Sequence, residues 1–323
     1  MYLAPEGDEI AISDAAADFL AGALPIERLH SAGSADLGAE LRGQLGQMGW
    51  FALALCEANG GSGLSAVEHA LFFREAGRQC APVDLLAQCL AANAIADPVL
   101  RSRLIAGDVG VALAIADREG LRIIGRADAA YAIQVEPGKV RIYDLADLSP
   151  EERPPLDPAN SMRPLPTLPM PIETATDGGV WRLGQLGTAA MLVGLAEAAL
   201  DLTVEYAKIR ETFGRKIGAY QAVRHPCADM AVRAEAARCE LYYAAAALKE
   251  GRSDADVHLD AAKHLANTAA HANTDTCIQL HGGIGVTDEH NAHLLMKHAL
   301  LLSRLFGSKR HVLSRLLDAR LEL

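Results

Sequence analysis

Between Leu183 and Leu321 the chain holds four long segments whose apolar residues recur every three to four positions, separated only by short glycine-containing breaks. They run from about Leu183 to Thr212, Tyr220 to Glu250, Asp254 to Leu280 and Glu289 to Leu321. This spacing is that of a helix with one buried face. Helices of such length joined by so few residues fold back as antiparallel neighbours, so residues 179–323 are expected to form a C-terminal four-helix bundle. Composition supports this: half of the 323 residues are apolar but only 5% are aromatic, and alanine and leucine carry most of the apolar total. Both lose little conformational freedom on entering a helix.

Upstream, Leu37, Leu41, Leu45 and Met48, and then Val67, Ala70, Leu71 and Ala76, keep the helical spacing. The glycine-rich turn EANGGSGLS lies between them and closes on Ser65 as a helix N-cap. Residues 1–108 are read as an N-terminal helical domain. From Val109 the pattern changes to brief apolar runs with β-branched residues, VGVALAIAD, LRIIGRAD, YAIQVEP and KVRIYDL, which read as strands. Eight of the 14 prolines fall between Pro150 and Pro171, where they suit an extended connector or a sheet edge. Residues 109–178 are expected to form a reduced β-domain with a Pro-rich connector. The fold class that results is mainly α with a small β-domain.

Several function classes are disfavoured. Thirty basic against 41 acidic residues give a net charge of −11, the wrong sign for many phosphate contacts to nucleic acid. The start, MYLAPEGDEI, has neither a basic n-region nor an apolar h-region, so a cytoplasmic location is expected. The apolar stretch from Thr188 to Ala207 carries Glu197, Asp201 and Glu205, which interrupt the roughly 18 uncharged residues of a membrane span. Six cysteines without a CxxC pair suggest buried thiols rather than a disulfide framework or a zinc site. Eleven histidines, His281, His290, His293 and His298 among them, show no metal-ligand spacing, and no metal is expected.

Two breaks between the long segments carry chemistry. In the first, Arg210-Glu211-Thr212-Phe213-Gly214-Arg215-Lys216-Ile217-Gly218, followed by Gln221, cations gather where one helix ends and another begins. They either complement the negative pole of the helix dipole or offer guanidinium forks to a phosphate. In the second, Gln279-Leu280-His281-Gly282-Gly283-Ile284-Gly285, closely spaced glycines let a ligand approach the backbone amides.

Together, and in this order, the two breaks resemble the acyl-CoA dehydrogenase family. Arg210 to Gln221 is similar to its RxxFGxxI…Q signature, Ala228-Asp229-Met230 and Ala237-Arg238 continue it, and QLHGGIG is similar to its QxxGGxG. GWFALALCEANGGSGLS resembles a stretch of the family's N-terminal domain. The resemblance implies an enzyme that binds FAD and removes two hydrogens across the Cα–Cβ bond of an acyl-CoA thioester, with the electron acceptor left open. By the same resemblance Arg210, Phe213 and Gln221 would contact the cofactor, and Gln279, Gly282 and Gly283 would meet the dinucleotide of a neighbouring subunit. The chain is then expected to be a homo- or hetero-oligomer, a dimer of dimers with a related subunit.

The match fails where the chemistry needs a base. A carboxylate must take the α-proton, yet the family's YEGT-like position reads Leu305-Phe306-Gly307-Ser308, and its alternative position falls on Gly184. Of the remaining acids, Glu289 is the candidate base, with helix-start dipole compensation as its other reading; Glu205 and Glu211 follow. The middle region also lacks the family's flavin-covering motifs, although Asp117 lies near an expected acidic position. The missing base and the small β-domain resemble those of short, divergent family members that pair with a related, base-bearing subunit in a heterotetramer in bacterial steroid side-chain breakdown. Three functions follow as expectations: a subunit of an FAD-dependent acyl-CoA dehydrogenase that needs its partner's base, a non-catalytic subunit that builds the FAD site, and, outside the family, a helical scaffold.

Overall fold

The structure, a computed structural model, describes residues 4–31, 37–117, 120–146, 155–165, 169–176 and 179–319. Helices α1 (Asp8–Ala23), α2 (Ala39–Gln47), α3 (Ala66–Arg78), α4 (Asp84–Ala94) and α5 (Pro98–Ala106) come first. Strands β1 (Val111–Asp117), β2 (Gly120–Ile124), β3 (Tyr131–Glu136), β4 (Lys139–Asp144), β5 (Met162–Leu165) and β6 (Glu173–Ala175) follow. The chain returns to helix with α6 (Gly179–Ile209), turns through β7 (Glu211–Thr212) and β8 (Arg215–Lys216), and continues as α7 (Gln221–Lys249), α8 (Ala255–His281), α9 (Ala292–Leu302) and α10 (Lys309–Asp318). A mainly helical chain with one small sheet is what the sequence indicated.

The fourth long segment differs from expectation. Glu289 to Leu321 is two helices rather than one, broken between Leu302 and Lys309. Phe306 and Gly307 have φ of 50° and 112°, backbone that a right-handed helix cannot contain. The C-terminal region is therefore three long helices and two short ones.

The residues group into two compact units, one of Met1–His30, Ala70–Cys80 and Gln185–Leu323, the other of Ser31–His69 and Ala81–Gly184. The first 108 residues are thus divided between the two units. In the first unit, glycines let α3 and α6 touch: a Cβ on Gly77 would lie 2.0 Å from the Met191 carbonyl oxygen, and one on Gly194 2.0 Å from that of Arg74. Beside this contact Glu197 accepts from Arg74 Nε at 2.8 Å and from Arg78 and Arg238 at 3.4 and 3.5 Å. Asn273 of α8 donates to the Ala196 and Met230 carbonyls at 3.0 Å each, which ties α6, α7 and α8 together. By length and composition alone α6 could cross a membrane, its three acids notwithstanding; 72% of its apolar window is buried inside the protein.

In the second unit a six-stranded sheet has the order β5-β2-β1-β3-β4-β6, with β1 and β3 parallel and every other pair antiparallel. Ala112, Ala114, Leu121, Ile123, Ala132 and Tyr143 form its buried cluster. Gln88 of α4 fastens the sheet: its amide donates to the Leu104 and Val109 carbonyls and accepts from the Val111 N–H. β5, drawn from the Pro-rich stretch, and β6, just after it, are the two edges, and Pro164 sits in β5, an edge strand of the kind that tolerates proline. Pro150, Pro154 and Pro166 lie outside the described residues.

Candidate functional site

Arg210 follows the last turn of α6, where its N–H still donates to the Tyr206 carbonyl at 2.9 Å and its carbonyl accepts from Ile217 N at 2.8 Å. The second of these bonds closes the β7–β8 hairpin. Phe213 and Gly214 form its tip, both left-handed at φ 49° and 75°. A phenylalanine held there with its side chain 99% exposed is unusual, because the hydrophobic effect disfavours it and sterics disfavour the backbone. Arg215 stacks 3.9 Å over the Tyr220 ring, Tyr220 Oη donates to the Thr212 carbonyl at 3.0 Å, and Lys216 pairs with Glu211 at 2.7 Å. Arg210, Phe213 and Gln221 are all exposed.

The second loop meets the last turn of α6 through aromatic contacts. His281, the last residue of α8, stacks on Tyr206 at 4.3 Å and leans on His290 at 4.4 Å, and its Nδ1 lies 2.7 Å from the Cys277 carbonyl. Burial depresses the pKa of His281; burial and then the neighbouring histidines depress that of His290. Gly282 turns the chain out of α8 at φ 65°. Gln279, Gly282 and Gly283 are exposed. The tertiary structure therefore gathers six of the sequence candidates at one end of the first unit, with Ile209, Ile284 and Val286 exposed on the same two loops.

Glu289 is exposed as well. A hydrogen bond from Thr287 holds its carboxyl below the usual range, the opposite of the raised pKa that suits a general base. Phe306 is buried in the turn between α9 and α10. Among the described residues no group of three or more His, Cys, Asp or Glu is placed to hold a metal ion.

Sequence reasoning missed a cavity of about 690 Å³ in the first unit, between α8, α9 and the start of α10. Arg304, Lys309 and Arg310 line it against one acid, Asp275. Asn267 also lines it, only 3% exposed, and neither its Nδ2 nor its Oδ1 finds a partner among the described residues. A buried amide without partners costs about 1–3 kcal/mol unless something fills the gap. His271 on the same wall has a depressed pKa, through burial and then through Arg304, Lys263 and Lys309. The first turn of α10 holds Lys309 and Arg310 and no acid, although a helix N-terminus favours negative charge. Cationic side chains, the free amides of a helix start and an unpaired carboxamide together suit a diphosphate with an attached polar group. The legible signal was Ser308-Lys309-Arg310, a basic run opening a helix just after Gly307.

The acyl-CoA dehydrogenase C-terminal domain family matches residues 182–319, and the N-terminal domain family matches residues 6–102. The acyl-CoA dehydrogenase IpdE2 of Mycobacterium tuberculosis is 34% identical over 284 residues, 84% of this chain and 83% of IpdE2. The chain belongs to the acyl-CoA dehydrogenase family. Family members are FAD-dependent oxidoreductases acting on CH–CH donors. Acyl-CoA dehydrogenase FadE34 of the same organism is 32% identical over 302 residues, 88% of this chain; the chain spans 42% of FadE34. The ChsE4-ChsE5 complex from Mycobacterium tuberculosis contains a chain that superposes with a TM-score of 0.80 at 22% identity, covering 98% of each. That likeness shows the acyl-CoA dehydrogenase fold. Both domain matches leave out residues 103–181, which hold the six-stranded sheet and the unmatched middle motifs.

Proposed function

We propose that this chain is the FAD-binding subunit of an acyl-CoA dehydrogenase that carries out α,β-dehydrogenation of an acyl-CoA thioester and takes its catalytic base from a related subunit. The observation that carries the reading is the cationic cavity with its unpaired Asn267. Its donors fit the diphosphate of a dinucleotide, and Arg304, Lys309 and Arg310 would neutralise that charge while Asn267 meets a neighbouring polar group. Arg210, Phe213, Gln221, Gln279, Gly282 and Gly283, which lie outside this cavity, would reach the cofactor of a neighbouring subunit. When bound, FAD supplies the two-electron acceptor for the hydrogen leaving the β-carbon. This chain would bind and orient it, and the apolar Phe306 would keep water from the turn where the family places its base. Phe306 has no group to take the α-proton, so the carboxylate would come from the partner chain. The likeness to a chain of the ChsE4-ChsE5 complex supports a two-subunit assembly.

The same Phe306 favours a second reading, in which the chain only builds the cofactor site and all turnover occurs on its partner. Co-expression with a related base-bearing subunit separates the readings. The pair is expected to be yellow and to reduce an artificial acceptor on addition of acyl-CoA, whereas the chain alone does so at a negligible rate. Acyl-CoA turnover that survives every disabling change in the partner's base would overturn the shared-base reading, and colourless protein in both preparations would overturn FAD binding.

A further inference from the structure

Lys263 of α8 is the most deeply buried charged side chain among the described residues, at 0% exposure, and no carboxylate among them pairs with it. The acid one turn before it, Asp260, is already engaged by Arg315 at 2.5 and 2.7 Å and by Gln185 at 2.7 Å. Among the described residues the ammonium of Lys263 makes one hydrogen bond, donated to the Leu302 carbonyl at 3.0 Å. An isolated buried ammonium is costly, and burial lowers its pKa to about 7. Leu302 ends α9, where the helix carbonyls lack intrahelical donors and carry the negative end of the dipole. The same carbonyl accepts from Leu305 N at 3.1 Å, so Lys263 grips the first bond of the turn that leaves α9.

That turn needs holding. Phe306 at φ 50° and Gly307 at φ 112° are consecutive left-handed residues, and a bulky residue there persists only when its surroundings enforce it. The turn also supplies Ser303, Arg304 and Ser308 to the cavity wall, and Asn267 lies one helical turn beyond Lys263 on α8. We infer that Lys263 is a positioning residue for the cavity: by capping the Leu302 carbonyl it fixes the 303–308 turn and so aims Arg304 and Ser308 at the ligand. This rests on the cavity being the diphosphate site proposed above.

The test uses the full chain with ADP as probe, measured by calorimetry, together with melting temperature and amide hydrogen exchange. Arg304→Gln examines the cavity itself and is expected to weaken ADP about tenfold. Lys263→Met keeps the side-chain shape but removes the donor; it is expected to weaken ADP by a similar factor, to speed exchange at 303–308, and to leave the melting temperature unchanged or higher, since a buried unpaired charge is gone. Lys263→Gln, which retains an N–H donor, should recover part of the affinity. Affinity unchanged in Lys263→Met while Arg304→Gln loses it overturns the positioning role alone. Equal loss in both Lys263 variants with a fallen melting temperature and unchanged exchange at the turn also overturns it. Wild-type affinity in Arg304→Gln overturns the cavity assignment and this inference with it.

Discussion

Gly77 and Gly194 set the distance between α3 and α6. A methyl group at either position would sit 2.0 Å from a backbone oxygen, which no rotamer change relieves. Gly77→Ala is therefore expected to destabilise the chain by roughly 1–3 kcal/mol in urea unfolding, where an open helix site would gain about 1 kcal/mol from alanine. His69 gives a pH signature at the same scale. It is fully buried, with Nε2 3.1 Å from the Leu183 carbonyl, and burial lowers its pKa to about 4. The folded state thus resists a proton that the unfolded chain takes up near the ordinary value of 6.5. The His69 contribution should be flat above about pH 6.5 and fall as pH drops from there towards 4, by roughly 2–3 kcal/mol. His281, His290 and His293, depressed in the same direction, add to the fall. Urea midpoints measured across that range check it, and His69→Gln should remove a distinct part of the slope.

Among elements, α10 carries the clearest conflict between stability and function. Lys309 and Arg310 oppose the dipole at its start. Replacing both with glutamate is expected to stabilise the ligand-free chain by about 0.5–1.5 kcal/mol in thermal unfolding and at the same time to abolish ADP or flavin binding. A double variant that loses both stability and binding would indicate that these residues simply pack. The break before α10 explains why sequence periodicity ran α9 and α10 together: no proline marks it, and Gly307 alone is a weak stop. Strands β1 to β4 were legible because each is short, β-branched and ended by Gly, Asp or Pro. The parallel pairing of β1 with β3 was not, since it depends on which strands share a buried face and not on chain order.

For the whole molecule, the apolar residues Ile209, Phe213, Ile284 and Val286 are exposed at and beside the two signature loops, and they are expected to meet a partner subunit. Phe213→Asp should change the stability of the isolated chain by less than about 0.5 kcal/mol, because a side chain 99% exposed contributes little to folding. Sedimentation velocity with the related subunit should show the complex weakened or lost. If assembly persists unchanged, the hairpin tip serves another purpose.

The sequence alone determined the helical character, the position of the small sheet and the two loops that carry the family resemblance, because periodicity, turn residues and glycine spacing are local properties. It also placed Phe306 where the family resemblance expects the base, which needed only a motif position. Only the tertiary structure decided that His281 at the second loop packs on Tyr206 in the last turn of α6, that residues 70–80 pack with the C-terminal helices, and that Asn267, Arg304, Lys309 and Arg310 converge on one cavity. Those groups lie up to 43 positions apart on two helices and a turn. Their chemistry exists only once packing removes water and brings them within reach of one ligand.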